Sequence, residues 1–321
     1  MPNQQLNLAT KAAWLSYIGG YTQSQVAKRL NVSTAKANRL ISLAHANNLV
    51  KIFVEGDTVE CVALEEKIIQ KYHLNSCTVV PDFDAGDEQS EFNDVGSAGA
   101  NYLHQLFKQS KDKIIGIGKG RTLSSVIEHL PKIKANNLQF VSVSGGLTRK
   151  FSTNPYDVIH KIAERTCSEA YFLPVPYMAK DVQEKEMLLS QQSVVQMLNF
   201  AKTADIFIVG IGSIQSNAHV HETGLIEEST WQMMIKKKAV GDFMGEFLDK
   251  NGNKINDQAN DLSLGLSNQD IKGKKVIAVV GGKQKGIATS AALKTNTITD
   301  LIIGEQSAQQ LIENSQDGLR P

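Results

Sequence analysis

The stretch Ile114-Ile115-Gly116-Ile117-Gly118-Lys119-Gly120-Arg121-Thr122-Leu123 decides the fold. An apolar, β-branched run passes into alternating glycines, two cations and a threonine suited to open a helix, which is a strand-to-helix junction. The same junction recurs along the chain. Apolar runs at Cys77 to Val80, Lys113 to Ile117, Gln139 to Val143, Ala170 to Leu173, Ile206 to Val209, Lys275 to Val280 and Leu301 to Ile303 alternate with helical segments. Several of these runs show no polar alternation, as expected of parallel strands covered on both faces.

A doubly wound, Rossmann-like α/β sheet follows from that order. Four of the runs end in glycine: Gly116 to Gly120, Gly145-Gly146, Gly210-Ile211-Gly212 and Gly281-Gly282. In an open parallel sheet the C-terminal strand ends share one edge, so these loops are expected to converge on one pocket. Glycine admits close backbone approach, and the helix that follows adds partial positive charge for an anion. Lys119, Arg121 and, after the last glycine pair, Lys283 and Lys285 supply counter-charges, Thr122 a cap, and Asp242 an acceptor for sugar hydroxyls.

Nucleotide readings are disfavoured. Gly116 to Gly120 is G-x-G-x-G with Arg121 where a third glycine would stand, and Lys119 is flanked by glycines with no hydroxyl following it. No cofactor is expected. His219-Val220-His221-Glu222 is an H-x-H pair with no further identified ligand, so no metal is assigned, and no G-x-S-x-G nucleophile signature occurs. A small anionic or polyhydroxylated ligand is expected, and no catalytic residue is assigned.

The head of the chain has a different character. Up to Val54 it carries Lys11, Lys28, Arg29, Lys36, Arg39 and Lys51 with no Asp or Glu, giving +6 where the whole chain has a net charge of +1. Leu8 to Ile18 has helical spacing, with Leu8, Ala12 and Leu15 on a face extended by Trp14 and Ile18, and Gly19-Gly20 ends it. Thr22 to Gln25 fits a capping box for a second helix to Leu30, and Ser33 caps a third to about Ala46, with Ala37, Leu40, Ile41 and Ala44 inward. Two helices joined by a tight turn, the second bearing outward Thr34, Lys36, Asn38 and Arg39, match helix-turn-helix geometry and predict operator DNA as a partner. Arg39 and Asn38 are placed to read bases and Lys28, Lys36 and Lys51 to meet phosphates, with Ser33 and Thr34 as further DNA-binding candidates.

Leu49 to Val54 and Val59 to Val62 read as a hairpin around Glu55-Gly56-Asp57-Thr58, giving a winged variant. Ala63 to Leu74 carries a stripe of Leu64, Ile68, Ile69 and Tyr72, read either as packing on its own domain or as a linker and dimerisation helix. The expected division is residues 1–62 for DNA, 63–75 for the linker helix and 76–315 for the effector. No charged-then-apolar leader opens the chain, no apolar run approaches a membrane span, and its three cysteines form no C-x-x-C, so a cytoplasmic protein with no membrane partner is expected.

These residues resemble the SorC family of sugar-responsive bacterial transcription regulators over nearly the whole chain. The resemblance is carried by YTQSQVAKRLNVSTAKANRLI from Tyr21, GIGKGRTL from Gly116, VSVSGGLTRKFSTNPYDVI from Val141, FLPVPYM from Phe172, ADIFIVGIGSI ending at Ile214, AVGDFMGEFLDKNGNKI from Ala239 and VIAVVGGKQKGIATSAAL from Val276. The GRTL form and the Ala12 to Tyr17 opening are most similar to the branch that controls sorbitol and mannitol operons. The resemblance implies an effector domain similar to phosphosugar isomerases and deaminases, and assembly as a homo-oligomer, usually a tetramer. It also implies a phosphate loop at Gly118 to Thr122, a second ligand loop at Ser144-Gly145-Gly146 with Asn154 beyond, a hydroxyl-binding carboxylate at Asp242 and a phosphate-contacting Lys285. Ser144 stands where some relatives carry a cation, which implies a singly phosphorylated sugar or an unphosphorylated polyol. A rival reading is a phosphosugar isomerase or deaminase with an added basic domain, using Asp242 with His219, His221 or Glu222.

Overall fold

The computed structural model describes residues 2–47, 49–50, 59–82, 88–135, 137–147, 157–214 and 218–313. The chain divides into two compact units, Met1–Val54 and Glu55–Pro321. Lys51 and Asn154, together with the expected turn at residues 55–58, lie outside the described residues.

The first unit is helical. Helix α1 covers Pro2–Ala13 and runs into a π-helical turn at Trp14–Ile18, followed by α2 at Gln23–Leu30 and α3 at Thr34–Ala46. The cap residues act as their types require: Gln25 Oε1 accepts from the Thr22 amide at 2.9 Å, and Ser33 Oγ accepts from the Lys36 amide at 3.2 Å. The core is formed by Ala9, Ala12, Ala13, Val26, Ala27, Ala37, Leu40, Ile41 and Ala44, which includes the whole inner stripe expected of α3. The first helix departs from expectation at its end. Trp14 is 57% and Ile18 72% exposed, so neither extends the buried face. The π turn explains this, because the Gly19 amide bonds the Trp14 carbonyl five residues back and the wider turn rotates these side chains off the 3.6-residue stripe.

The second unit begins with α4 at Val59–Tyr72, which corrects the expected second hairpin strand over Val59 to Val62. Cys61 and Ile68 fix the outcome: both are fully buried on one helical face against the sheet, with Leu64, Ile69 and Tyr72 alongside. This helix therefore packs on its own domain.

Next come β1 (Ser76–Val80), α5 (Glu88–Gln109), β2 (Lys113–Ile117), α6 (Arg121–His129), β3 (Leu138–Ser142), α7 (Ile159–Thr166) and β4 (Glu169–Tyr171). After them follow α8 (Val182–Ser190), α9 (Gln192–Lys202), β5 (Ile206–Val209), β6 (Gly212–Ser213), α10 (His219–Glu222), α11 (Glu228–Lys236), β7 (Gly241–Phe243) and β8 (Glu246–Leu248). The chain closes with β9 (Lys275–Val280), α12 (Gly286–Leu293), β10 (Asp300–Gly304) and α13 (Glu305–Glu313).

Seven parallel strands form the main sheet in the order β1-β10-β9-β5-β2-β3-β4. Residues of α4, α9, α12 and α13 share a core cluster with Val79, Val141, Phe207, Val209, Val276, Ala278 and Ile303, covering one face. Helices α5 and α6 cover the other. From β2 the chain winds outward through β3 to β4, then returns to the opposite side of β2 at β5. The strand order therefore reverses between β2 and β5, where an open α/β sheet has its ligand crevice. A second core, containing Leu173, Val175, Tyr177, Ala218, Val220, Trp231, Met234 and Phe247, is built by the segments that follow β4 and β5. The small antiparallel sheet β6-β7-β8 brings Asp242 opposite Gly212.

Candidate functional site

A pocket opens at the β2/β5 reversal, lined by Gly118 to Leu123 from the loop after β2, Val143 and Ser144 after β3, Val209 to Ser213 after β5, and Lys285 after β9. All four glycine-ended strands thus meet there. Phe92 of α5, Tyr177, Ala218, Val220, Asp242, Met244 and Gly245 complete the wall.

Two glycines show why the backbone can take this shape. Gly120 sits at φ 119° as the N-cap of α6, a conformation that L side chains rarely adopt, and the first amides of α6 follow directly. A Cβ on Gly212 would lie 1.7 Å from Asp242 Oδ1, so only glycine lets that carboxylate stand against β6.

The polar side chains form one connected set. Tyr177 Oη donates to Asp242 Oδ2 at 2.9 Å, and both residues are buried. Lys119 Nζ donates to the Gly145 carbonyl at 2.9 Å and lies 3.5 Å from the centre of the Tyr177 ring. Lys285 Nζ donates to the Ile211 carbonyl at 3.1 Å. Arg121 lies over the Phe92 ring and is 4.0 Å from Glu222 Oε2. Thr122 Oγ1 accepts from the Gly281 amide at 3.3 Å, tying the loops after β2 and β9 together.

Burial dominates the proton affinities here. It holds the Lys119 ammonium well below the ordinary lysine range, with the Asp242 charge opposing it in part. It also raises the Asp242 carboxyl, against the Tyr177 hydrogen bond and the charges of Lys285 and Lys119. The Tyr177 hydroxyl is driven well above its usual range by burial and then by Asp242.

Of the expected effector residues, Gly118, Lys119, Gly120, Arg121, Thr122, Gly212, Asp242 and Lys285 line the pocket. Gly145 enters only through its carbonyl bond to Lys119, and Gly146 and Lys283 are not in the wall. Tyr177 and Phe92 were not expected in the pocket: Tyr177 lies within the FLPVPYM piece but carries no assigned role there, and Phe92 reaches the wall from α5. His221 turns away from the pocket: its ring stacks on Trp231 with centroids 4.9 Å apart, and its Nε2 is 2.6 Å from Glu228 Oε2. Among the described residues, no group of three His, Cys, Asp or Glu side chains is arranged to hold a metal.

In the helical unit, Lys28, Ser33, Thr34, Lys36, Asn38 and Arg39 are all exposed. Ala37 and Leu40, interleaved with the last three, are buried, so Lys36, Asn38 and Arg39 are held on one outward face of α3. Gln23 Nε2 donates to Asn38 Oδ1 at 3.4 Å, and Arg29 stacks 4.1 Å from the Tyr21 ring centre. Among the described residues, no helix is long and apolar enough to cross a membrane.

The family model described as “Putative sugar-binding domain” matches residues 57–313. The erythritol catabolism regulatory protein EryD of Brucella abortus is 38% identical over 306 residues, spanning 95% of this chain and 96% of its own. The deoxyribonucleoside regulator of Bacillus subtilis is 27% identical over 320 residues, spanning 98% of this chain and all of its own. The full-length sorbitol operon regulator SorC of Klebsiella pneumoniae has the same fold, with a TM-score of 0.70 at 22% identity over 97% of this chain and 100% of that one.

Proposed function

Because the chain belongs to the SorC family of sugar-responsive regulators, we propose that it is a DNA-binding transcriptional regulator whose operator affinity is set by a small polyol, sugar or sugar phosphate in the β2/β5 pocket. The helical head binds the operator through α3, with Asn38 and Arg39 reading base edges and Lys28, Ser33, Thr34 and Lys36 meeting the backbone. We assign Lys51 to the operator and Asn154 to the effector as well. The protein acts in the cytoplasm as a homo-oligomer, and the effector works by binding DNA-competent and DNA-incompetent arrangements of that oligomer with different affinity.

One observation carries the effector reading: at the strand-order reversal, Lys119, Arg121 and Lys285 line the same pocket as the start of α6 and the buried Asp242. Cations and helix amides suit an anionic group, and a buried carboxylate suits hydroxyls. Tyr177 already engages the Asp242 carboxylate, and the full-length relatives are named as regulators, which supports the sensing reading.

Electrophoretic shift of the protein's own upstream DNA with erythritol, sorbitol, mannitol and their phosphates tests the proposal. An operator complex that one class of compound forms or releases is expected. If no upstream fragment shifts at any salt or ligand concentration, the proposal is wrong.

A further inference from the structure

A cation in the pocket wall, Arg121, has a carboxylate beside it. Glu222, at the end of α10, holds its Oε2 4.0 Å from Arg121 Nη1, and Arg121 is the first residue of α6. The pair is unequal in exposure, with Arg121 19% and Glu222 50% exposed, and such partly solvated pairs are weak. A phosphate at the α6 terminus meets the same guanidinium with a higher charge, more acceptor oxygens and access to the helix amides. It also repels Glu222. An uncharged polyol brings none of these terms.

Helix α10 is tied to the second core. Val220 both lines the pocket and is buried in that core, and His221 stacks on Trp231 at an interplanar angle of 16°. Trp231 is only 2% exposed and packs on Phe247 with ring centroids 6.4 Å apart.

We infer that Glu222 is an internal competitor for the effector's anionic group: a phosphorylated ligand takes Arg121 from it, and the release is passed through His221 to the Trp231 core. Glu222 thereby makes the pocket read ligand charge as well as shape. This rests on the effector-pocket reading above.

The test uses the full chain with Trp14→Phe, which leaves Trp231 as the sole tryptophan of the two in the sequence. Erythritol, erythritol 4-phosphate, 2-deoxyribose and 2-deoxyribose 5-phosphate are titrated, following both heat of binding and Trp231 emission. The phosphorylated probes should shift the emission and their neutral counterparts should not. Glu222→Gln should tighten the phosphorylated probes about 1.5- to 5-fold, the range expected from removing a partly exposed ion pair, with no change for the neutral ones and a smaller emission shift. Unchanged or weaker phosphate binding by Glu222→Gln overturns the inference, as does an equal emission shift from neutral probes. If only neutral probes bind, the inference alone falls; if no probe binds at all, the pocket reading falls with it.

Discussion

Tyr177→Phe isolates a single hydroxyl at the centre of the pocket. The ring that carries the Lys119 contact at 3.5 Å stays, and only the donor to Asp242 at 2.9 Å is lost. Tyr177 is 5% and Asp242 8% exposed, so the bond is largely shielded from bulk solvent. Leaving a buried acceptor short of a partner costs about 1–3 kcal/mol, with the upper part of that range applying when the acceptor is charged. The loss should depend on pH. Burial already raises the Asp242 carboxyl above its ordinary value of 3.8, and the Tyr177 hydrogen bond is the first influence opposing that rise. Without it the folded-state value climbs further. A carboxyl raised in the folded state contributes stability that is complete below its unfolded value and is lost as pH rises through the folded one. The substitution should therefore cost most in mildly alkaline buffer and progressively less as pH is lowered toward the raised Asp242 value. Urea unfolding followed by Trp231 emission in a Trp14→Phe background measures this directly. A midpoint unchanged at every pH, or a loss that grows toward acid, would refute the reasoning.

Two further substitutions separate the two units. Arg39→Ala removes an exposed side chain of α3 and should weaken operator binding by about 1–3 kcal/mol, with effector affinity unchanged by calorimetry; an equal fall in effector affinity would contradict the division of roles. Lys285→Ala removes the ammonium held on the Ile211 carbonyl and should weaken a phosphorylated effector by about 1.5–3 kcal/mol while the ligand-free protein still shifts its operator.

The sheet was legible because its signal is local. All seven expected strands lie in the main sheet, with ends displaced by no more than two residues, since an unbroken apolar run ending in glycine has few other uses in an α/β chain. What failed was decided at long range. Val59 to Val62 has the composition of a strand, yet Cys61 and Ile68 find their burial as one helical face on the sheet. Strands β6, β7 and β8 are two or three residues long, too short to show a period. Tyr177 meets Asp242 across 65 residues and Phe92 reaches the pocket from α5, so the sequence around each gives no hint of its pocket partner, even where, as in FLPVPYM, the segment itself stands out. The glycines and cations of the site were visible because backbone approach and anion charge demand particular residue types. An aromatic wall can be supplied from anywhere in the chain.

The two central titratable groups also distinguish the kinds of effector. Burial moves both toward neutrality, lowering Lys119 and raising Asp242. A phosphate stabilises the Lys119 ammonium and raises its proton affinity, so binding takes up a proton. Affinity should then fall as pH rises from the free to the bound Lys119 value. A polyol donating hydroxyls to Asp242 stabilises the carboxylate instead, so binding releases a proton and affinity should rise with pH through the Asp242 window. The two slopes have opposite signs. Phosphate monoesters titrate themselves near pH ~6, which would add a rising slope of their own. Lys119→Met, which removes the ammonium but keeps the ligand's titration, subtracts that contribution. Calorimetry of one bound effector in buffers of different ionisation heat gives the sign of proton exchange for both proteins. Proton uptake that disappears in Lys119→Met identifies a phosphate held by Lys119, and proton release lost on Asp242→Asn identifies a polyol. Proton exchange identical in the parent, Lys119→Met and Asp242→Asn proteins would show that neither group meets the ligand.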